Sequence, residues 1–110
     1  MRRTMLAIIS SPQTDHTSSA ITLAKEMMSA NSTVSIFLLQ DAVIHAVRKH
    51  PASAQIERLV NLGVEIFVLG EDLAERGYGQ ADIISGVGIA GYDYLVESMM
   101  EEHDSIVGAF

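Results

Sequence analysis

VEIFVLGEDLAERG, Val64 to Gly77, changes its periodicity halfway along. Ile66 to Leu69 is an unbroken apolar run, as expected of a strand buried on both faces, whereas a half-exposed strand would alternate. Glu71 and Asp72 follow, at a point where acidic side chains offset the positive end of a starting helix. Gly77 then stands where a left-handed residue closes a helix. A strand that feeds straight into a helix is the repeating half of a parallel βα arrangement.

The same grammar extends outward in both directions. MLAIIS precedes TSSAITLAKEMMSA; TVSIFLL precedes DAVIHAVRKH and SAQIERLVNLG; GVGIA precedes YDYLVESMMEE; SIVGAF comes last. Leu6 to Ile9 and Ser35 to Leu39 are again nearly continuous apolar runs, so the sequence predicts a parallel sheet with helices on both faces. Ala20, Ala24, Met27 and Met28 repeat at helical spacing behind a cap at Thr14 or Asp15, and Ile56, Leu59 and Val60 do so ahead of Gly63. The Pro51 turn is the clearest break inside what reads as one domain, residues 1–110.

Composition narrows the function classes. Seven Lys and Arg against 14 Asp and Glu give a net charge of −7, which opposes direct binding of nucleic acid, a process carried by clustered basic residues. The run Met5–Ile9 behind Arg2-Arg3 is too short for a signal sequence, and no apolar stretch approaches the ~20 residues of a membrane span, so a cytoplasmic protein is expected. The chain has no cysteine. Disulfides, thiolate metal sites and cysteine nucleophiles are therefore excluded. An apolar fraction of 48% is high for so small a domain, and DAVIHAV sets apolar residues almost all round one short helix, so an oligomer is expected with Ala42, His45, Ala46 and Arg48 near the contact.

GVGIAG, Gly86 to Gly91, has the glycine spacing of a dinucleotide-binding turn. The acidic strand end that should follow about 20 residues later would fall off the chain, so a short strand whose glycines permit close packing is the expected reading, and no cofactor is predicted. The ligand-facing ends of a parallel sheet are its carboxyl ends. Gln40, Asp41, Gly70 and Asp72 are thus the candidate strand-end pocket, with Asp41, Glu71, Asp72 and Asp93 also explicable as helix-start acids. The hydroxyl-rich SSPQTDHTSS could hold an anion or merely cap a helix. His45 and His50, five apart, do not form an i,i+4 metal pair, and His16 and His103 have no evident companion, so no metal site is predicted.

SIFLLQDAVIHAV (35–47), VEIFVLGEDLAERGY (64–78), and GVGIAGYDYLVES with HDSIVGAF resemble, in order, segments of the DsrE/DsrF/DsrH sulfur-relay superfamily, specifically its DsrH/TusB branch. The resemblance implies a three-layer α/β/α domain with a mostly parallel five-stranded sheet. It also implies a subunit of an oligomer passing persulfide sulfur between cysteines, toward thiolation of a tRNA wobble uridine or in sulfur oxidation. In DsrE-type subunits the active cysteine lies eight residues before the glycine of Arg-Gly, a position that Leu69 fills here; other members carry one near Ser19 to Ile21. Ala42 replaces a family glycine, Gly91 an aspartate and Phe110 a tryptophan. The expectation is a non-catalytic, cysteine-free subunit partnered by cysteine-bearing DsrE/TusD-like and DsrF/TusC-like chains. The alternative is a homo-oligomer that binds a small ligand or anion at the strand ends.

Overall fold

The computed structural model describes residues 4–9, 22, 26, 33–51, 53–100 and 105–109. Strands β1 (Thr4–Ile9), β2 (Thr33–Leu38), β3 (Glu65–Leu69), β4 (Val87–Ala90) and β5 (Ser105–Ala109) line up in the order β4-β3-β2-β1-β5. Every pairing between them is parallel. Helices α1 (Ser53–Asn61), α2 (Gly70–Glu75) and α3 (Tyr92–Met100) alternate with these strands. Thr22 and Glu26 also lie in helical backbone. The α/β fold with a parallel sheet read from the apolar runs is the fold observed. The proposed cap at Thr14 or Asp15, the apolar face Ala20 to Met28, His16 and His103 lie outside the described residues.

Strand side chains alternate faces with a period of two. Val34, Ile36 and Leu38 of β2 join Ile66 and Val68 of β3 in one core, closed by Val43 and Ala46, by Ile56 and Leu59 of α1, and by Leu73 of α2. Phe37 belongs to a second cluster with Ala90 and Leu95, packed against Leu39 and Phe67. The rings of Phe37 and Phe67 stack at 5.1 Å, and Tyr94 of α3 leans on both. Helical segments therefore pack on both faces of β2 and β3. Burying side chains such as Phe37, Ile36 and Leu59 completely contributes about 1.5–3 kcal/mol each.

Gly63 and Gly77 follow α1 and α2 with φ of 94° and 80°, as their positions predicted. The glycines of GVGIAG have separate structural duties. Gly86 turns the chain into β4 at φ 96°, and a Cβ there would come within 2.7 Å of Val60 Cγ1. Gly88, paired in register with Phe67, leaves room for that ring, since a Cβ would stand 2.8 Å from its Cδ1. Gly91 has open space around it.

One element differs from expectation. DAVIHAVRKH was expected to be an α-helix, but Gln40–Ala46 forms a 3₁₀ helix. Gln40 has φ 49°, so the chain swings from β2 directly into the tighter coil. At three residues per turn the side chains fall into three rows. The rows holding Val43 with Ala46 and Ala42 with His45 are buried, and the row holding Asp41 and Ile44 faces outward.

Candidate functional site

The carboxyl ends of β2 and β3 do bring the four predicted pocket residues into one neighbourhood. Gly70 opens α2 directly after Leu69, and Asp72 sits in the first turn of that helix. The Asp72 side chain accepts a 2.7 Å hydrogen bond from the Gln40 N–H, which ties the positive-φ turn after β2 to the start of α2. Arg76, at the far end of α2, completes the cluster. Its Nε and Nη2 donate to Asp41 Oδ1 at 3.0 and 2.7 Å, and its Nη1 donates to the Asp72 carbonyl at 2.9 Å. One guanidinium thus links the 3₁₀ helix to α2 while also satisfying a helix carbonyl.

Sequence reasoning missed Arg76. Its signal was the i,i+4 spacing from Asp72 and the presence of two acids with no other cation close by in sequence. Asp41, Glu71, Asp72 and Asp93 all stand in first turns, as predicted, yet Asp41 and Asp72 also cross-link separate segments. The result is a self-satisfied polar clasp in which both carboxylates already accept hydrogen bonds from the protein. Two acids at the mouth would also repel an anion, so ligand binding at these strand ends is not favoured.

Leu69, the position at which the resemblance places a cysteine, ends β3 opposite Ala90 and is buried. A hydrocarbon there packs and does no sulfur chemistry. His45 is buried as well, and neither ring nitrogen has a hydrogen-bond partner among the described residues. Burial holds its pKa below the ordinary histidine range, and the nearby His50 adds to that lowering. The two rings meet edge to face with centroids 6.2 Å apart. Among the described residues no group of three or more His, Asp or Glu is placed to hold a metal ion.

The predicted contact surface needs correction. Ala42, His45 and Ala46 are buried within the chain itself and present no free face; of the four residues named, only Arg48 is exposed. The 3₁₀ rows explain this, because two of the three pack inward. Exposed apolar side chains occur instead along the β4 edge and α3: Ile89, Tyr92, Val96, Met99 and Met100, the last 81% exposed. No helix among the described residues is long and apolar enough to cross a membrane.

A strand-end clasp, an edge strand in the GVGIAG segment, and a buried leucine at the cysteine position accompany a family match over residues 11–105. The chain belongs to the DsrH-like protein family. No curated protein sequence matches it. The DsrH-like chain is similar in structure to a protein of unknown function, MTH1491, from Methanobacterium thermoautotrophicum, with a TM-score of 0.86 and 16% identity over 96% of this chain and 98% of the other. It is also similar to the ychN protein of E. coli, with a TM-score of 0.79 and 19% identity over 98% and 99% of the two chains. A third similar structure is BT1422 from Bacteroides thetaiotaomicron, with a TM-score of 0.77 and 15% identity over 94% and 93%. These likenesses establish the fold, while the family match associates the chain with sulfur relay.

Proposed function

We propose that this DsrH-like chain is a non-catalytic, cytoplasmic subunit of a sulfur-transfer complex of the DsrEFH/TusBCD kind, assembled with cysteine-bearing DsrE/TusD-like and DsrF/TusC-like subunits. The observation that carries the reading is a sulfur-relay family match in a chain of 110 residues without one cysteine. Persulfide transfer requires a thiolate that attacks the outer sulfur of a donor persulfide and releases the donor thiolate. Leu69 has no atom able to do this, so the sulfur resides on a partner. The same reading completes the fold as a three-layer α/β/α domain around a five-stranded sheet. Its assembly face is the exposed apolar face of α3, with Tyr92, Val96, Met99 and Met100. The destination of the sulfur is a tRNA wobble uridine or a sulfur-oxidation route. In either case the charge of −7 leaves contact with any polyanion to the partners.

The test is affinity purification of the tagged chain from its native cell, followed by loading of the recovered complex with radiolabelled sulfur from a cysteine desulfurase. Co-purification of a cysteine-bearing DsrE-like partner is expected, with label that reducing agent releases found on that partner alone. Recovery of the chain as a lone monomer, or unchanged sulfur transfer by the partner after this subunit is removed, overturns the proposal.

A further inference from the structure

An open depression of about 420 Å³ is lined by Arg48, Glu57, Val60, Asn61, Ile84 and Ser85. It lies between α1 and the turn that leads into β4, near the amino ends of the strands and away from the clasp. Its wall is built firmly. Val47 and Ile83 form an antiparallel bridge, the Arg48 N–H donates to the Asp82 carbonyl at 2.7 Å, and the Ile84 N–H donates to the Ala46 carbonyl at 2.9 Å. Gly86 lets this turn close onto Val60, since any Cβ there would collide with it. The first glycine of GVGIAG therefore shapes a concavity.

Arg48 is fixed at this wall by its Nε, which donates to the Ile83 carbonyl at 2.7 Å. Its terminal amino groups make no hydrogen bond among the described residues, where the ion pairs are those of Arg76. Glu57 and Asn61 stand four apart on α1 with Val60 between them, so all three share a helix face. One fixed cation, one carboxylate and an apolar floor of Val60 and Ile84 thus line a space in the size range of small-molecule sites. A free anion is repelled by the chain's net charge of −7, whereas a neutral zwitterion meets no such barrier.

We propose that this depression binds a small amino-carboxylate zwitterion, with its carboxylate on the terminal amines of Arg48, its ammonium on Glu57 and its aliphatic stem over Val60 and Ile84. Asn61 and Ser85 supply neutral hydrogen-bonding groups at the rim. The recognition is of the kind an α-amino acid with an aliphatic side chain satisfies. It requires no partner subunit and is independent of the sulfur-relay reading.

The test is a nitrogen-15 NMR titration of the purified chain with L-leucine, and separately with 4-methylpentanoate, which lacks the ammonium, and isopentylamine, which lacks the carboxylate. L-Leucine should give saturable shifts confined to amides around Arg48, Asn61, Ser85 and Gly86, at a dissociation constant of millimolar order or below. Each single-charge probe should bind at least about tenfold more weakly, because charge-assisted contacts are lost from one end. Glu57→Gln, an exposed change that leaves the Arg48 anchor intact, should reduce L-leucine binding by a similar factor. The proposal is overturned if L-leucine causes no saturable shift up to ~20 mM, if 4-methylpentanoate binds as well as L-leucine, or if Glu57→Gln changes nothing.

Discussion

Replacing His45 by leucine should stabilise the protein, and the gain should grow as the pH falls. In the native chain the imidazole is 5% exposed and both ring nitrogens lack partners among the described residues. A buried polar atom left unsatisfied costs about 1–3 kcal/mol. Leucine removes two such atoms and fills a comparable volume, but it loses the edge contact with His50. A net gain of about 1–2 kcal/mol at neutral pH follows. The pH dependence has a definite sign. The folded-state pKa of His45 lies below the ordinary histidine value of 6.5 because burial, and secondarily His50, disfavour the charged ring. Above 6.5 the ring is neutral whether folded or not, and it adds no slope. As the pH drops below 6.5 the unfolded chain binds a proton that the folded chain refuses, and stability falls until the folded pKa is reached. One proton sets the limit at about 1.4 kcal/mol per pH unit. Urea unfolding of both proteins between about pH 7.5 and 5.5, a window above most carboxylate titration, isolates this term as the difference between the two curves. Parallel curves across that window, or a leucine variant less stable at every pH, would refute the reasoning.

Gly86→Ala should cost about 2–4 kcal/mol in urea unfolding, since it combines a left-handed φ with a Cβ 2.7 Å from Val60. Within the clasp, Asp72→Ala should cost about 1–2 kcal/mol because it strips an acceptor from a backbone N–H. Asp41→Ala, at a carboxylate 66% exposed, should cost under ~1 kcal/mol in the same assay. Paired substitutions Tyr92→Lys and Met100→Lys should lower the assembled mass in sedimentation equilibrium while leaving the thermal midpoint within a few degrees, as exposed changes generally do. Filter binding of tRNA to the isolated chain at about 150 mM salt should show no submicromolar affinity.

The strands and their parallel pairing were legible because burial on both faces removes the need for polar residues. Runs such as Ile66 to Leu69 then have no alternative use in a soluble chain. The ends of α1 and α2 were legible for a similar reason, since a left-handed turn at Gly63 or Gly77 excludes most other residues. The 3₁₀ helix was not. Alanine, valine and isoleucine in DAVIHAV fit either coil, and the choice is made by the positive φ at Gln40 and by the cores that receive its two inner rows. The error then carried over to the surface. An α-helix that is apolar all round leaves a stripe exposed, whereas a 3₁₀ helix of the same residues hides two rows out of three.

The candidate strand-end site was legible in its membership and opaque in its chemistry. Topology alone gathers residues that follow parallel strands, so Gln40, Asp41, Gly70 and Asp72 were found without knowledge of a single contact. Whether such a gathering is a pocket or a clasp depends on whether its acceptors are already occupied, and a donor from elsewhere in the chain decides that. Here the donors are the Gln40 backbone and Arg76. The high apolar content points the same way once it is traced to its place. Inside the 3₁₀ helix the alanines and valines are consumed by the core, while Tyr92, Met99 and Met100 remain uncovered on α3. Apolar side chains exposed on one helix face are buried at little cost in desolvation. In the proposed complex the thiol belongs to the partner, and α3 supplies the apolar face on which that subunit packs.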